Sequence, residues 1–76
     1  MCQLHYISSP NDTLNRTFIL AVTTLSAREN NDDGVGIYSS PWGLFKTEIP
    51  ANNIINYGKI LNQHTEKAEM VMAHTR

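Results

Sequence analysis

Residues 35–49, VGIYSSPWGLFKTEI, decide how this chain folds. Val35 to Ser39 predicts a short strand, and Leu44 to Ile49 alternates apolar and polar residues as a strand with one buried face does. The connector from Ser40 to Gly43 contains Pro and Gly, which mark a turn. The stretch therefore predicts a β-hairpin, and working outward from it gives the rest of the domain.

A helix is predicted before the hairpin. It begins near residues 11–13, where a short polar side chain accepts a hydrogen bond from the free N–H groups of the first turn, and it ends at the polar segment 29–34. A strand is the competing assignment, because several residues of this segment are β-branched. Apolar residues fall on one helical face, which we expect to be the buried one. They are Leu14, Phe18, Val22 and Leu25, with Ile19 and Ala21 widening the face.

A second helix is predicted after the hairpin. Pro50 ends the strand pattern, Asn52 or Asn53 caps the helix, and the helix runs to about Gln63. Its expected apolar face is formed by Ile54, Tyr57 and Leu61.

Each end of the chain predicts a further strand. Residues 1–7 alternate at Cys2, Leu4 and Tyr6, and residues 68–73 form an apolar segment whose Met70 and Met72 we expect to fill the core. The predicted fold is α+β with element order β-α-β-β-α-β, in a single domain covering residues 1–76.

Length and composition exclude several classes of protein. A chain of 76 residues buries only about 60% of its unfolded surface, so its own core is marginal. One Cys and three scattered His residues predict neither a disulfide nor a metal site, and no cofactor is expected. The net charge of −1 predicts no nucleic-acid partner and no membrane anchor. No segment predicts a membrane span or a secretory signal, so we expect a cytoplasmic protein.

Cys2 is the strongest candidate for chemistry. Its side chain is small, so removal of Met1 is expected, which leaves a thiol and a free α-amine on one carbon. The α-amine has a reference pKa of about 7.7–8.0 and therefore can take the thiol proton near neutral pH. The alternative is an unreactive Cys carried on a buried strand.

Arg76 is the second candidate. It ends the segment Ala73-His74-Thr75-Arg76, where a strand would carry a planar, permanently charged guanidinium to its end. Such a group suits bidentate binding of a carboxylate. The alternative is a solvated terminal arginine.

Three motifs, in order, resemble those of the type-2 glutamine amidotransferase domain, whose members are N-terminal-nucleophile hydrolases that release ammonia from glutamine. In that family the chain opens with Met-Cys on the first strand, an Arg followed by Asp-Gly-x-Gly comes after a helix, and a later strand ends in Gly/Ala-His-Thr-Arg. The resemblance spans the whole chain, and its opening Met-Cys-Gln-Leu is most similar to the small stand-alone members. The matching residues are Met1-Cys2, Arg28 with Asp33-Gly34-Val35-Gly36, and Ala73-His74-Thr75-Arg76.

The resemblance implies both a fold and a site. The fold would be the N-terminal part of a four-layer αββα architecture, in which two antiparallel sheets pack between helices. Cys2 would attack the side-chain amide of glutamine with its α-amine as the base, and Arg76 would bind the glutamine α-carboxylate. Asp33 and Gly34 would support the strand beside the nucleophile, and His74 would orient the end of its strand.

In the family, the Asn-Gly pair of the oxyanion hole and an acidic residue for the glutamine α-amine lie beyond the position of Arg76. These 76 residues contain neither, so we expect a chain that is inactive by itself and is completed by a further C-terminal portion or a partner chain. One alternative is an N-terminal-nucleophile acylase or peptidase acting on another amide. Another is a small non-catalytic protein-binding domain, since ferredoxin-like modules share this element order.

Overall fold

The computed structural model describes residues 2–76. It confirms the α+β class and the order β-α-β-β-α-β. Met1, which the sequence assigned to the first strand, lies outside the described residues. The elements are β1 (Gln3–Ser8), α1 (Asp12–Arg28), β2 (Val35–Ser39), β3 (Gly43–Thr47), α2 (Ile54–Thr65) and β4 (Met70–Thr75).

The four strands form one antiparallel sheet in the order β1-β4-β2-β3. The last strand therefore lies between β1 and β2, which run parallel to each other on either side of it. This split β-α-β arrangement places β1 at an edge, whereas a ferredoxin-like sheet has its first strand at the centre. The shared element order is therefore not a shared topology.

Helices α1 and α2 pack on one face of the sheet. The strand residues with odd numbers point toward them, because successive side chains alternate between the faces of a sheet. The centre of the resulting core is formed by Ile19, Val35, Ile37, Tyr57, Leu61, Val71 and Ala73.

The predicted buried face of α1 is wrong for most of its large apolar residues, although Ile19 is buried as predicted. Leu14 and Leu25 are 51% and 56% exposed, and Phe18 is also exposed. The buried face is largely polar instead, with Asn15, Ile19, Thr23, Ser26 and Ala27. Hydrogen bonds make this burial possible, because a buried polar group is costly only when it lacks a partner.

Two of these polar residues bind distant parts of the chain. The Asn15 side-chain amide donates to the backbone carbonyls of Ser9 and Ala68, both at 2.9 Å. The Thr23 hydroxyl lies 2.8 Å from the Tyr57 hydroxyl and donates to the Ile19 carbonyl at 2.6 Å. Through these bonds α1 is joined to α2 and to the start of β4. On α2 the predicted burial of Tyr57 and Leu61 is confirmed, whereas Ile54 is exposed.

The opposite face of the sheet has no covering layer among residues 2–76. Its side chains are the even-numbered strand residues, and Met72 belongs to them, so the prediction that Met72 fills the core is wrong. We call this surface the open face. Its exposed large apolar residues are Leu4, Tyr6, Tyr38, Leu44 and Met72. Separately, no helix among residues 2–76 has the length and apolar character to cross a membrane.

Candidate functional site

Cys2 lies directly before β1 with its side chain exposed. Gln3 pairs with Thr75 of β4, so continuing the same register by one residue sets Cys2 opposite Arg76. Residues at positions 2, 4 and 6 share a face because the strand period is two. Cys2 therefore lies at a corner of the open face. The alternative placement, on a buried strand, is not the one the structure has.

Arg76 continues the pairing of β4 with β2. Its N–H donates to the Gly34 carbonyl at 3.3 Å, and the Asp33 N–H donates to the Arg76 carbonyl at 2.7 Å. The Arg76 guanidinium lies beside Gly34, since a Cβ built on that glycine would come within 3.2 Å of Nη2. The backbone on both sides of Arg76 is thus fixed by the segment that contains the Asp-Gly-x-Gly motif.

Gly34 is required by its surroundings. It has φ of 149°, and a Cβ on it would lie 2.4 Å from the carbonyl oxygen of Thr47. Any larger residue would be strained and would clash with β3. Asp33 acts through its backbone N–H. The structure brings both residues next to Arg76, as the sequence motif predicts for a supporting segment.

His74 lies on the open face with an exposed side chain, and no hydrogen bond holds its ring among residues 2–76. The end of β4 is held instead by its neighbour Thr75, which is fully buried. The Thr75 hydroxyl lies 2.6 Å from the Ser26 hydroxyl and 3.4 Å from Nε2 of His5. The Asn31 amide donates to the Ser26 hydroxyl at 3.0 Å.

This row of polar groups, His5–Thr75–Ser26–Asn31, is buried except at the partly buried His5, and sequence reasoning missed it. Burial and then the nearby charge of His74 lower the pKa of His5 below its usual value. Burial therefore favours the neutral form of the His5 ring. The row fixes the ends of β1 and β4, and these strand ends position Cys2 and Arg76.

Beside Arg76 the open face contains a cavity of about 390 Å³ lined by Gly36, Lys46, His74 and Arg76. Lys46 pairs across the sheet with Gly36, which itself pairs with His74. Sequence reasoning missed Lys46, although its place in the alternating segment 44–49 assigns it to one face of the hairpin. No group of three or more His, Cys, Asp or Glu side chains within residues 2–76 is placed to hold a metal ion.

Comparisons with models of known protein families, with curated proteins and with solved structures find no significant match to this chain. Its site is therefore assessed on its own geometry. Cys2 precedes β1 and Arg76 follows β4, so the pairing of Gln3 with Thr75 puts both residues at the same end of the sheet, next to neighbouring strands.

Proposed function

We propose that this chain carries the nucleophile and the carboxylate-binding group of a type-2 glutamine amidotransferase site. The observation that supports this most directly is the pairing of β1 with β4, because its last pair, Gln3 with Thr75, brings the adjacent residues Cys2 and Arg76 to the same end of the sheet. Neighbouring strands lie about 5 Å apart. A small amino acid whose carboxylate is bound by the guanidinium can therefore place its side chain near the thiol.

The proposed reaction uses two groups of one residue. After removal of Met1, the Cys2 α-amine takes the thiol proton, and the sulfur attacks the side-chain amide carbon of glutamine. The C–N bond breaks, the α-ammonium returns the proton, and ammonia leaves a γ-glutamyl thioester. Water then cleaves the thioester, which yields glutamate and restores the thiol. Arg76 holds the α-carboxylate throughout by bidentate hydrogen bonds.

The open face supports a four-layer αββα architecture for the complete site. Five large apolar side chains on this face are exposed to solvent, and patches of this kind mark surfaces that another layer covers. A second sheet, from a further C-terminal portion or from a partner chain, would bury them and would bring the oxyanion donors and the acidic residue. Without those donors the rate falls by about 10²–10³ for each one lost, so we expect the 76 residues alone to react with glutamine slowly or not at all.

We also propose a cytoplasmic location, because an exposed thiol such as that of Cys2 stays reduced in a reducing compartment.

The open face also favours a second candidate function, a small protein-binding domain in which Cys2 has no chemical role. Its apolar residues would then contact a partner protein, with aromatic side chains at the centre of the contact.

Labelling of Cys2 tests the proposed function. The chain is treated with 6-diazo-5-oxo-L-norleucine, a glutamine analogue that alkylates a thiol at the glutamine side-chain position, and its intact mass is measured. We expect a chain without Met1 and with one adduct on Cys2, and no adduct on a Cys2→Ser variant. A folded chain that keeps Met1, or that shows no adduct, favours the protein-binding function instead.

A further inference from the structure

The most apolar face of α1 points away from the sheet. Leu14, Phe18, Ala21 and Leu25 are exposed, whereas the side of α1 that packs on the sheet is largely polar. Residues three and four apart lie on one face of a helix, so these four residues form a continuous line along its outer side. We call this line the outer stripe of α1. It lies on the opposite side of the molecule from the open face.

The spacing of the outer stripe is typical of a seam between two helices. Its residues follow one another at steps of four, three and four, as the apolar a and d positions of a coiled coil do. Leu14 and Leu25 are 51% and 56% exposed, and large apolar side chains exposed side by side mark a contact surface. The outer stripe therefore fits a second helix that runs along α1.

A hole for a side chain of that second helix lies on the outer stripe. A cavity of about 450 Å³ includes in its lining Ala21, Thr24, Leu25 and Arg28, together with Ile54 of α2. Four helix residues at positions i, i+3, i+4 and i+7 form the hole that receives one side chain from a facing helix. Ile54 adds an apolar wall, so the hole suits an apolar side chain.

The outer stripe is complementary to itself when two copies of α1 run antiparallel. If Leu14 of one copy lies level with Leu25 of the other, then Phe18 of the first lies level with Ala21 of the second. A large side chain thus meets a small one, and Leu14 of each copy lies level with the hole around Leu25 in the other. Each contact occurs twice about a two-fold axis, so the pair closes on itself.

The charges at the ends of α1 favour the antiparallel direction. Asp12 lies in the first turn and Arg28 in the last. Antiparallel copies bring Arg28 of one copy beside the first turn of the other, whereas parallel copies would set the two Arg28 side chains face to face. Asp12 already binds Arg16 at 2.8 Å, so the end charges select the direction more than they strengthen the contact.

We propose that the outer stripe is the contact of a homodimer, in which two copies of α1 pack antiparallel with Leu14 level with Leu25 and Phe18 over Ala21. This dimer buries the large apolar residues that a single copy leaves exposed on α1. It leaves the open face and Cys2 uncovered, so it does not depend on the proposed function.

Sedimentation equilibrium tests the dimer. The chain should form dimers as its concentration rises, and Leu25→Glu should raise the dimer Kd at least about thirtyfold, which corresponds to about 2 kcal/mol. Leu44→Glu is the matched control, since Leu44 is an exposed leucine of the open face, and it should leave the Kd unchanged. A chain that stays monomeric up to about 1 mM, or a dimer weakened by Leu44→Glu and not by Leu25→Glu, would overturn the proposal.

Cross-linking tests the register and does not require a charge in the stripe. Ala21→Cys and Leu14→Cys are each made in a Cys2→Ser chain and treated with a short bismaleimide at concentrations where sedimentation shows the dimer. In the proposed register the two copies of residue 21 are offset along the helix axis by three residues, about 4.5 Å, and those of residue 14 by eleven, about 16 Å. We expect Ala21→Cys to be cross-linked and Leu14→Cys not to be. Equal cross-linking of both, as parallel helices would give, or none at Ala21→Cys, would overturn the proposal.

Discussion

The hydroxyl groups of Ser26 and Thr75 lie 2.6 Å apart and join the last turn of α1 to the last residue of β4. Both side chains are buried. The contact spans 49 positions of sequence, so it fixes the end of a central strand against the helix layer. Arg76 is the next residue, so this contact holds the strand directly before it.

Thr75→Val tests that relationship. Valine keeps the β-branched shape but removes the hydroxyl partner of Ser26 and of the His5 ring, and Ser26 then keeps only the bond from the Asn31 amide. We expect the free energy of unfolding to fall by about 1–3 kcal/mol, the cost of an unsatisfied buried polar group. Urea denaturation measures the change, and Thr17→Val, at an exposed position of α1, is the matched control. Equal losses of unfolding free energy in the two variants would show that the Thr75 hydroxyl makes no specific contribution to stability.

Glycine replacements should have opposite effects at two positions. Gly34→Ala forces a methyl group against the Thr47 carbonyl at a φ of 149°, and strain of this kind costs about 1–3 kcal/mol. Gly58→Ala lies in the interior of α2 with open space around the new methyl group, and it should stabilise the fold by about 0.5–1 kcal/mol. Thermal unfolding of the two variants measures both. A neutral Gly34→Ala would mean that the close approach to β3 is absent.

Tyr57 should make stability depend on pH in the alkaline range. Burial raises its pKa to about 12, against a partial lowering by the hydrogen bond with Thr23. Between the ordinary pKa of about 10 and this value, the folded state holds a proton that the unfolded state has lost. Stability is therefore complete below pH of about 10 and falls as the pH rises, by up to about 1.4 kcal/mol per unit.

Tyr57→Phe removes this titration. The variant should be less stable at neutral pH by about 0.5–1.5 kcal/mol because the bond to Thr23 is lost, and its unfolding free energy should fall less steeply above pH of about 10. Urea midpoints measured across this range give the slopes, and Tyr38→Phe, on the open face, should keep the slope of the original chain. If the unfolding free energy of all three proteins fell equally steeply with pH, Tyr57 would be excluded as the source of the pH dependence.

The sequence predicts the element order but not which face of α1 is buried. Hydropathy ranks Leu14, Phe18 and Leu25 above Thr23 and Ser26, yet the hydroxyl residues face the core. Their partners, Tyr57 and Thr75, are distant in sequence, so no local pattern shows that these hydroxyl groups are satisfied. Met72 is predicted to lie in the core because an apolar residue on a strand is expected to face inward. The sequence does not show that one face of the sheet is open.

The candidate site is likewise predicted only in part by the sequence. Residue type and motif spacing point to Cys2 and Arg76 from the sequence. Their position on neighbouring strands requires the order β1-β4-β2-β3, which the pattern of elements does not fix. Lys46 is assigned to the cavity beside Arg76 only by its pairing with Gly36, because a lysine on an alternating strand is by itself an ordinary surface residue.

The central claim is that Arg76 directs a carboxylate-bearing substrate to Cys2. The most direct measurement compares the rate at which Cys2 reacts with 6-diazo-5-oxo-L-norleucine and with iodoacetamide, which has no carboxylate, in the original chain and in Arg76→Ala. Loss of a charged hydrogen bond costs about 1.5–3 kcal/mol, so the rate with the glutamine analogue should fall at least about tenfold while the rate with iodoacetamide stays the same. An equal change for both reagents, or no change for either, would contradict the account.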